Sequence, residues 1–103
     1  MTKRNLVICS GNTEANRLFH ELVNAKQNNK GYIYKQRLEA VFEIDGVAES
    51  TLFKTLRQLN SLDGMRFDEV TITDNAYKNG TIGSLNKAIY LKSILTSHIP
   101  KGE

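Results

Sequence analysis

The segment STLFKTLRQLNSLDGM, Ser50 to Met65, decides how the chain is read. Leu52, Phe53, Leu56 and Leu59 fall at the three- and four-residue intervals of one helix face. The spacing predicts a helix from Glu49 or Ser50 to about Leu62, stopped by Asp63-Gly64. Its outer face would carry Ser50, Thr51, Lys54, Thr55, Arg57, Gln58 and Ser61. A helix of this kind can enter the major groove of B-DNA. Gln can pair with adenine, Lys and Arg can reach guanine, and a threonine methyl can touch thymine.

Upstream, Thr13 to Asn28 reads as another helix. Asn12 or Thr13 can cap it, and Glu14 suits the positive end of its dipole. Ala15, Leu18, Phe19, Leu22 and Val23 form its apolar stripe, and Gly31 is placed as a left-handed stop. Tyr32-Ile33-Tyr34 is β-prone but long enough only for an edge pairing. A second helix is expected from about Lys35 to Glu43, with Leu38, Val41 and Phe42 inward and Lys35 and Arg37 near a flanking phosphate. Ile44-Asp45-Gly46-Val47 is a turn. Beyond Gly64 the period drops to two, with Val70 and Ile72 alternating with threonines. Asn79-Gly80 signals a hairpin, with a returning strand over about Thr81 to Leu91. Ala88, Leu91 and Leu95 also fit a helical stripe, so residues 85–99 read as strand or helix.

In this order the elements resemble the winged helix-turn-helix superfamily, most specifically through Thr51, Leu52, Lys54, Leu56, Leu59, Gly64 and Met65. The resemblance implies an α+β fold of three helices plus a β-hairpin wing. It divides a single domain, 1–103, into an arm (1–11), a helical core (13–62) with its recognition helix at 50–62, a wing (65–91) and a tail (92–103). The implied function is sequence-specific binding of double-stranded DNA by a small regulator, in transcriptional control or plasmid or phage maintenance. The site residues would be Ser50, Thr51, Lys54, Thr55, Arg57 and Gln58 on the recognition helix, Lys35 and Arg37 beside it, and Tyr77, Lys78, Asn79 and Lys87 on the wing. A lone module buries only ~600–1,000 Å² on DNA, so a homodimer is expected. The dimer contact would come from the arm Leu6 to Cys9 or the apolar tail Ile89 to Ile99. The alternative is a module of the same fold that docks on a polymerase or a replication factor.

Composition narrows the remaining classes. Apolar residues make up 40% of the chain and charged residues 24%, as in ordinary folded proteins. The net charge of +3 is mild, but Asn75 to Lys101 holds four lysines and no acid. No apolar run approaches the ~20 residues of a membrane span, and the start is too short to be a secretory signal, so a cytoplasmic protein is expected. One cysteine and two histidines make a structural zinc site unexpected, and no cofactor is implied.

LVICSGNTEANR, Leu6 to Arg17, resembles the phosphate loop of low-molecular-weight tyrosine phosphatases, which needs an arginine six residues after its cysteine. Ala15 stands there and Arg17 is eight residues on, so no enzyme is expected. Gly11 and Asn12 still leave free amides at a helix start, a general perch for anions. Cys9 reads as a small buried hydrophobe and His20 as a boundary residue. Tyr32, Tyr34, Tyr77 and Tyr90 read as core edges.

Overall fold

In the computed structural model, which describes residues 2–62 and 65–95, β1 (Thr2–Cys9) runs through the interior of a five-stranded mixed sheet. It leads into α1 (Asn12–Ala25), then β2 (Gly31–Tyr34), a 3-10 turn (Lys35–Arg37), β3 (Glu39–Ile44) and β4 (Val47–Thr55). A 3-10 segment (Leu56–Leu62), β5 (Glu69–Ile72), α2 (Asp74–Asn79) and α3 (Ile82–Leu95) follow. The strand order is β2-β3-β4-β1-β5. β1 is parallel to both β4 and β5, and β2-β3-β4 is an antiparallel meander.

This architecture overturns the winged helix-turn-helix expectation. The recognition helix assigned to 50–62 is a strand as far as Thr55 and a 3-10 segment after it. β4 is interior and buries both faces, Leu52 against one layer and Phe53 against the other. A strand buried on two sides loses its alternation, and its apolar neighbours then imitate a helical stripe. Thr51, Phe53 and Thr55 supply the β-branched and aromatic content that suits a strand. The helix assigned to 35–43 is the 3-10 turn and β3, and the wing assigned to 65–91 is β5, α2 and α3.

The hairpin lies elsewhere. Asp45 and Gly46, with φ of 52° and 81°, make the two-residue turn between β3 and β4, where Ile44 faces Val47. Gly80 has φ of −79° and separates α2 from α3. A Cβ there would meet the Ala76 carbonyl at 2.7 Å and Leu56 Cδ1 at 2.8 Å, so this glycine serves close packing. Gly31 does not stop α1, which ends at Ala25 with Lys26 as its C-cap. It lies in β2, where a Cβ would strike the Val41 carbonyl.

Two apolar layers sandwich the sheet. On one face α1 packs Ala15 and Phe19 against Cys9, Ala40, Phe42 and Phe53. On the other, Leu59, Leu62, Ala88 and Leu91 cover Leu6, Ile8, Leu52, Val70 and Ile72. The segment Leu6 to Cys9 is thus a buried central strand, which removes it as an arm for dimer contact. α1, the edge character of β2 and the alternation of β5 agree with the expectations, and residues 82–95 are helical. The Asp63-Gly64 stop and the tail beyond residue 95 lie outside the described residues, as do the side chains of Ser61 and Leu95.

Candidate functional site: a basic groove at the carboxyl end of the sheet

β1 and β4 are parallel neighbours whose exits diverge. β1 delivers the chain to α1 on one face, and β4 delivers it to the 3-10 segment on the other. In open α/β sheets such a reversal leaves a crevice beyond the strand ends, where ligands bind. Here Ser10, Gly11, Asn12, Thr55 and Arg57 line a crevice of about 170 Å³. Gly11 is the N-cap of α1, and no side chain caps the helix. Its first-turn amides therefore lack the partner that a Ser or Asp cap would give.

Asn12 also borders a second cleft of about 260 Å³, lined by Asn16, Lys35, Gln36, Arg37, Leu38, Phe53, Lys54 and Gln58. The two clefts share Asn12, and their linings together, the basic groove, contain Lys35, Arg37, Lys54 and Arg57. Arg37 is tied down, its Nε donating to Glu39 Oε1 at 2.7 Å while its guanidinium lies 4.4 Å from the centre of the Tyr34 ring. Lys35, Lys54 and Arg57 take part in none of the ion pairs among the described residues. The turn that presents Lys35 and Arg37 closes through Leu38 in the left-handed region, φ 50°, an unusual conformation for a branched side chain. The Leu38 carbonyl accepts from the Phe53 amide at 3.0 Å, which fastens the turn to β4.

The loop after β1 is held from below by Glu14, a buried carboxylate. It accepts from the Ser10 amide at 2.8 Å, the Thr73 hydroxyl at 2.8 Å and the Asn75 amide at 2.9 Å. Burial works against ionisation, but the hydrogen bonds from Ser10, Thr73 and Asn75 outweigh it and hold the carboxyl below the ordinary glutamate range. Thr73 also accepts from the Ala76 amide and so caps α2, which makes Glu14 the joint between the exits of β1 and β5. Cys9 is the opposite case. Burial, then the charge of Glu14, pushes its thiol up to about 12 against a smaller pull from Arg17, so it is protonated at neutral pH and inert as a nucleophile.

Of the sequence-predicted site, Lys35, Arg37, Lys54, Thr55, Arg57 and Gln58 line the two clefts, although no recognition helix carries them. Gln58 Oε1 accepts the Thr55 amide at 3.0 Å. Ser50 is buried and donates to Glu39 at 3.0 Å, and Thr51 sits mid-strand. Tyr77, Lys78 and Asn79 stand on α2 and Lys87 on α3, and none of them lines either cleft. Sequence reasoning missed Asn16 and Arg4. Arg4 was hidden in the supposed arm, yet it joins Arg37, Glu39, Leu52, Lys54 and Met65 around a further hollow of about 290 Å³. Tyr32, Tyr34, Tyr77 and Tyr90 are exposed, not core edges.

Among the described residues no group of three or more His, Cys, Asp or Glu could hold a metal ion, and no helix is long and apolar enough to cross a membrane. Compared with known proteins, the chain matches no family model, no curated protein and no solved structure.

Proposed function

We propose that the protein binds nucleic acid through the phosphate backbone, laid along the basic groove at the carboxyl end of β1 and β4. The observation that carries this reading is the convergence of Lys35, Arg37, Lys54 and Arg57 on two clefts that share Asn12. Four cations from two 3-10 segments and the end of β4, three of them outside any ion pair among the described residues, set up a local positive field above what a net +3 implies. The fixed cation is Arg37, and the uncapped start of α1 adds backbone donors beside Arg57. Asn12 and Asn16 supply neutral donors and acceptors along the floor. Backbone contacts of this kind position a nucleic acid without reading its sequence.

The test is a fluorescence-anisotropy titration of labelled oligonucleotides over a range of salt. Each phosphate neutralised adds roughly 0.7–0.9 to the slope of log affinity against log salt. Lys54→Ala and Arg57→Ala should each weaken binding and lower that slope by about one unit. Absence of binding at low salt, or binding indifferent to salt, would overturn the proposal.

A further inference from the structure

The face of the sheet opposite α1 is only partly covered. The 3-10 segment and α3 roof it over β1 and β5, while β2 and β3 lie beyond that roof. Tyr32 faces Val41 across the ladder and Tyr34 faces Glu39. Ala40 and Phe42, the alternate residues of β3, belong to the layer under α1. Tyr32 and Tyr34 therefore stand side by side on the uncovered face, 69% and 42% exposed, about 6.7 Å apart along the strand. Arg37 backs the Tyr34 ring at 4.4 Å on one side. The same face carries Arg4 and Lys54, which with Arg37 rim the hollow between this shelf and Met65. Arg37 and Lys54 are also members of the basic groove, so the shelf continues it.

Resting on the backbone-binding reading, we infer that the occupant of this shelf is a single-stranded nucleic acid, with bases stacked on Tyr32 and Tyr34 while its phosphates follow Arg4, Arg37, Lys54 and Lys35. Charge selects the polyanion: Arg4, Arg37, Lys54 and Lys35 border the shelf, against Glu39, which is already engaged by Arg37 and Ser50, and Glu43, which lies past Tyr32 on the same face of β3 beside Lys30. The exposed rings select the single strand, because a duplex keeps its base faces stacked inside and can offer them no partner. Aromatic platforms beside a positive track are the recurring device for unpaired strands, and every base has a face to offer them.

The experiment compares a labelled single-stranded 15-mer, the same strand as a duplex, and a 15-mer of abasic sugars. The proteins are the unaltered chain, Tyr32→Ala/Tyr34→Ala, Tyr32→Phe/Tyr34→Phe and Lys54→Ala. The unaltered chain should prefer the single strand over the duplex. Loss of two stacking rings should weaken single-strand binding about tenfold or more, leave the salt slope unchanged, and leave duplex and abasic binding as they were. The Phe pair should restore affinity, because the ring and not the hydroxyl does the stacking. Equal affinity of the unaltered chain for normal and abasic strands, or an unchanged affinity in the Ala pair, would overturn the inference. If Lys54→Ala still weakens binding in that case, backbone binding survives and only the stacking fails. Binding of no oligonucleotide at low salt would remove both.

Discussion

β1 and β2 belong to one sheet and are its extremes. β1 lies between β4 and β5 with a layer on each face, and Leu6, Ile8 and Cys9 are fully buried. β2 is an edge strand, and all four of its residues are exposed, two of them tyrosines. Both strands run into tight turns that present polar groups, Ser10 to Asn12 after β1 and Lys35 to Arg37 after β2. The difference teaches a division of labour. The interior strand fixes where the groove is, and the edge strand leaves surface available to a partner. Lysines on either side of β2, Lys30 and Lys35, also discourage pairing with another copy of the same edge.

The comparison breaks first at the interior strand. Ile8→Ala should cost about 2–5 kcal/mol in urea unfolding, through lost transfer energy and a cavity between two packed layers. Ile33→Ala in β2 should cost less than about 1.5 kcal/mol, because its side chain already meets water. Similar costs at the two positions would mean that β2 is covered in solution.

The next effect lies at Glu14. Glu14→Ala strands the Ser10, Thr73 and Asn75 donors and should cost about 1–3 kcal/mol. The same group sets a pH dependence. Its carboxyl titrates lower in the folded state than in the unfolded one, so its stabilisation is complete above the ordinary glutamate value of about 4.3. That stabilisation should fade as pH drops below this value through the depressed one. Urea midpoints from pH 7 to 3 should fall in the unaltered chain and fall less in Glu14→Gln. Parallel curves would show that Glu14 is not the coupled group.

Glycine sharpens the contrast between turn and packing positions. Gly46→Ala places a side chain at φ 81° in the β3–β4 turn, with open space around it, and should cost about 1 kcal/mol from backbone strain alone. Gly80→Ala meets no backbone prohibition but collides with Ala76 and Leu56, so it should cost more than Gly46→Ala and disturb the packing of α3. Thermal melts of the two variants with circular dichroism would show which mechanism governs each site.

These two glycines also explain what was legible in the sequence. Asp45-Gly46 and Asn79-Gly80 look alike as dipeptides, yet only the first is a hairpin. Turn chemistry marks where a chain can reverse, and what it joins depends on pairing partners far along the chain. α1 was readable because one solvated face preserves its period. β5 was readable because Val70 and Ile72 are buried and their neighbours are not. β4 was misread because both of its faces are buried, so burial left no alternation to detect. Part of the site lining coincides with the sequence reading for a different reason. Lys35, Arg37, Lys54 and Arg57 read as the outward cations of two expected helices, and the strand end and 3-10 turns that replace those helices still leave them lining the clefts. Tyr32 and Tyr34 could be recognised as a platform only once β2 was seen to be an edge with one face uncovered.

The smallest effects carry the sharpest form of the comparison. Arg17 pairs with Glu21 at 3.1 Å on the exposed face of α1 and also lies 3.9 Å from the buried Glu14 carboxylate, so Arg17→Gln should lower stability by at least the ~0.3–0.5 kcal/mol of an exposed pair of this spacing at low salt. Lys35 and Arg57 are exposed cations in the groove without an ion pair among the described residues. Removing either as Gln relieves repulsion from its neighbours and sacrifices no attraction. Lys35→Gln/Arg57→Gln should therefore leave stability unchanged or raise it by up to about 0.5 kcal/mol, an increment that shrinks as salt screens the charges. A loss for Arg17→Gln against no loss or a gain for Lys35→Gln/Arg57→Gln, read from urea midpoints at low and moderate salt, would separate a charge that serves the fold from charges held against mutual repulsion for a ligand. If Lys35→Gln/Arg57→Gln instead destabilises the chain, the groove cations belong to the structure, and the backbone-binding reading loses the observation that supports it.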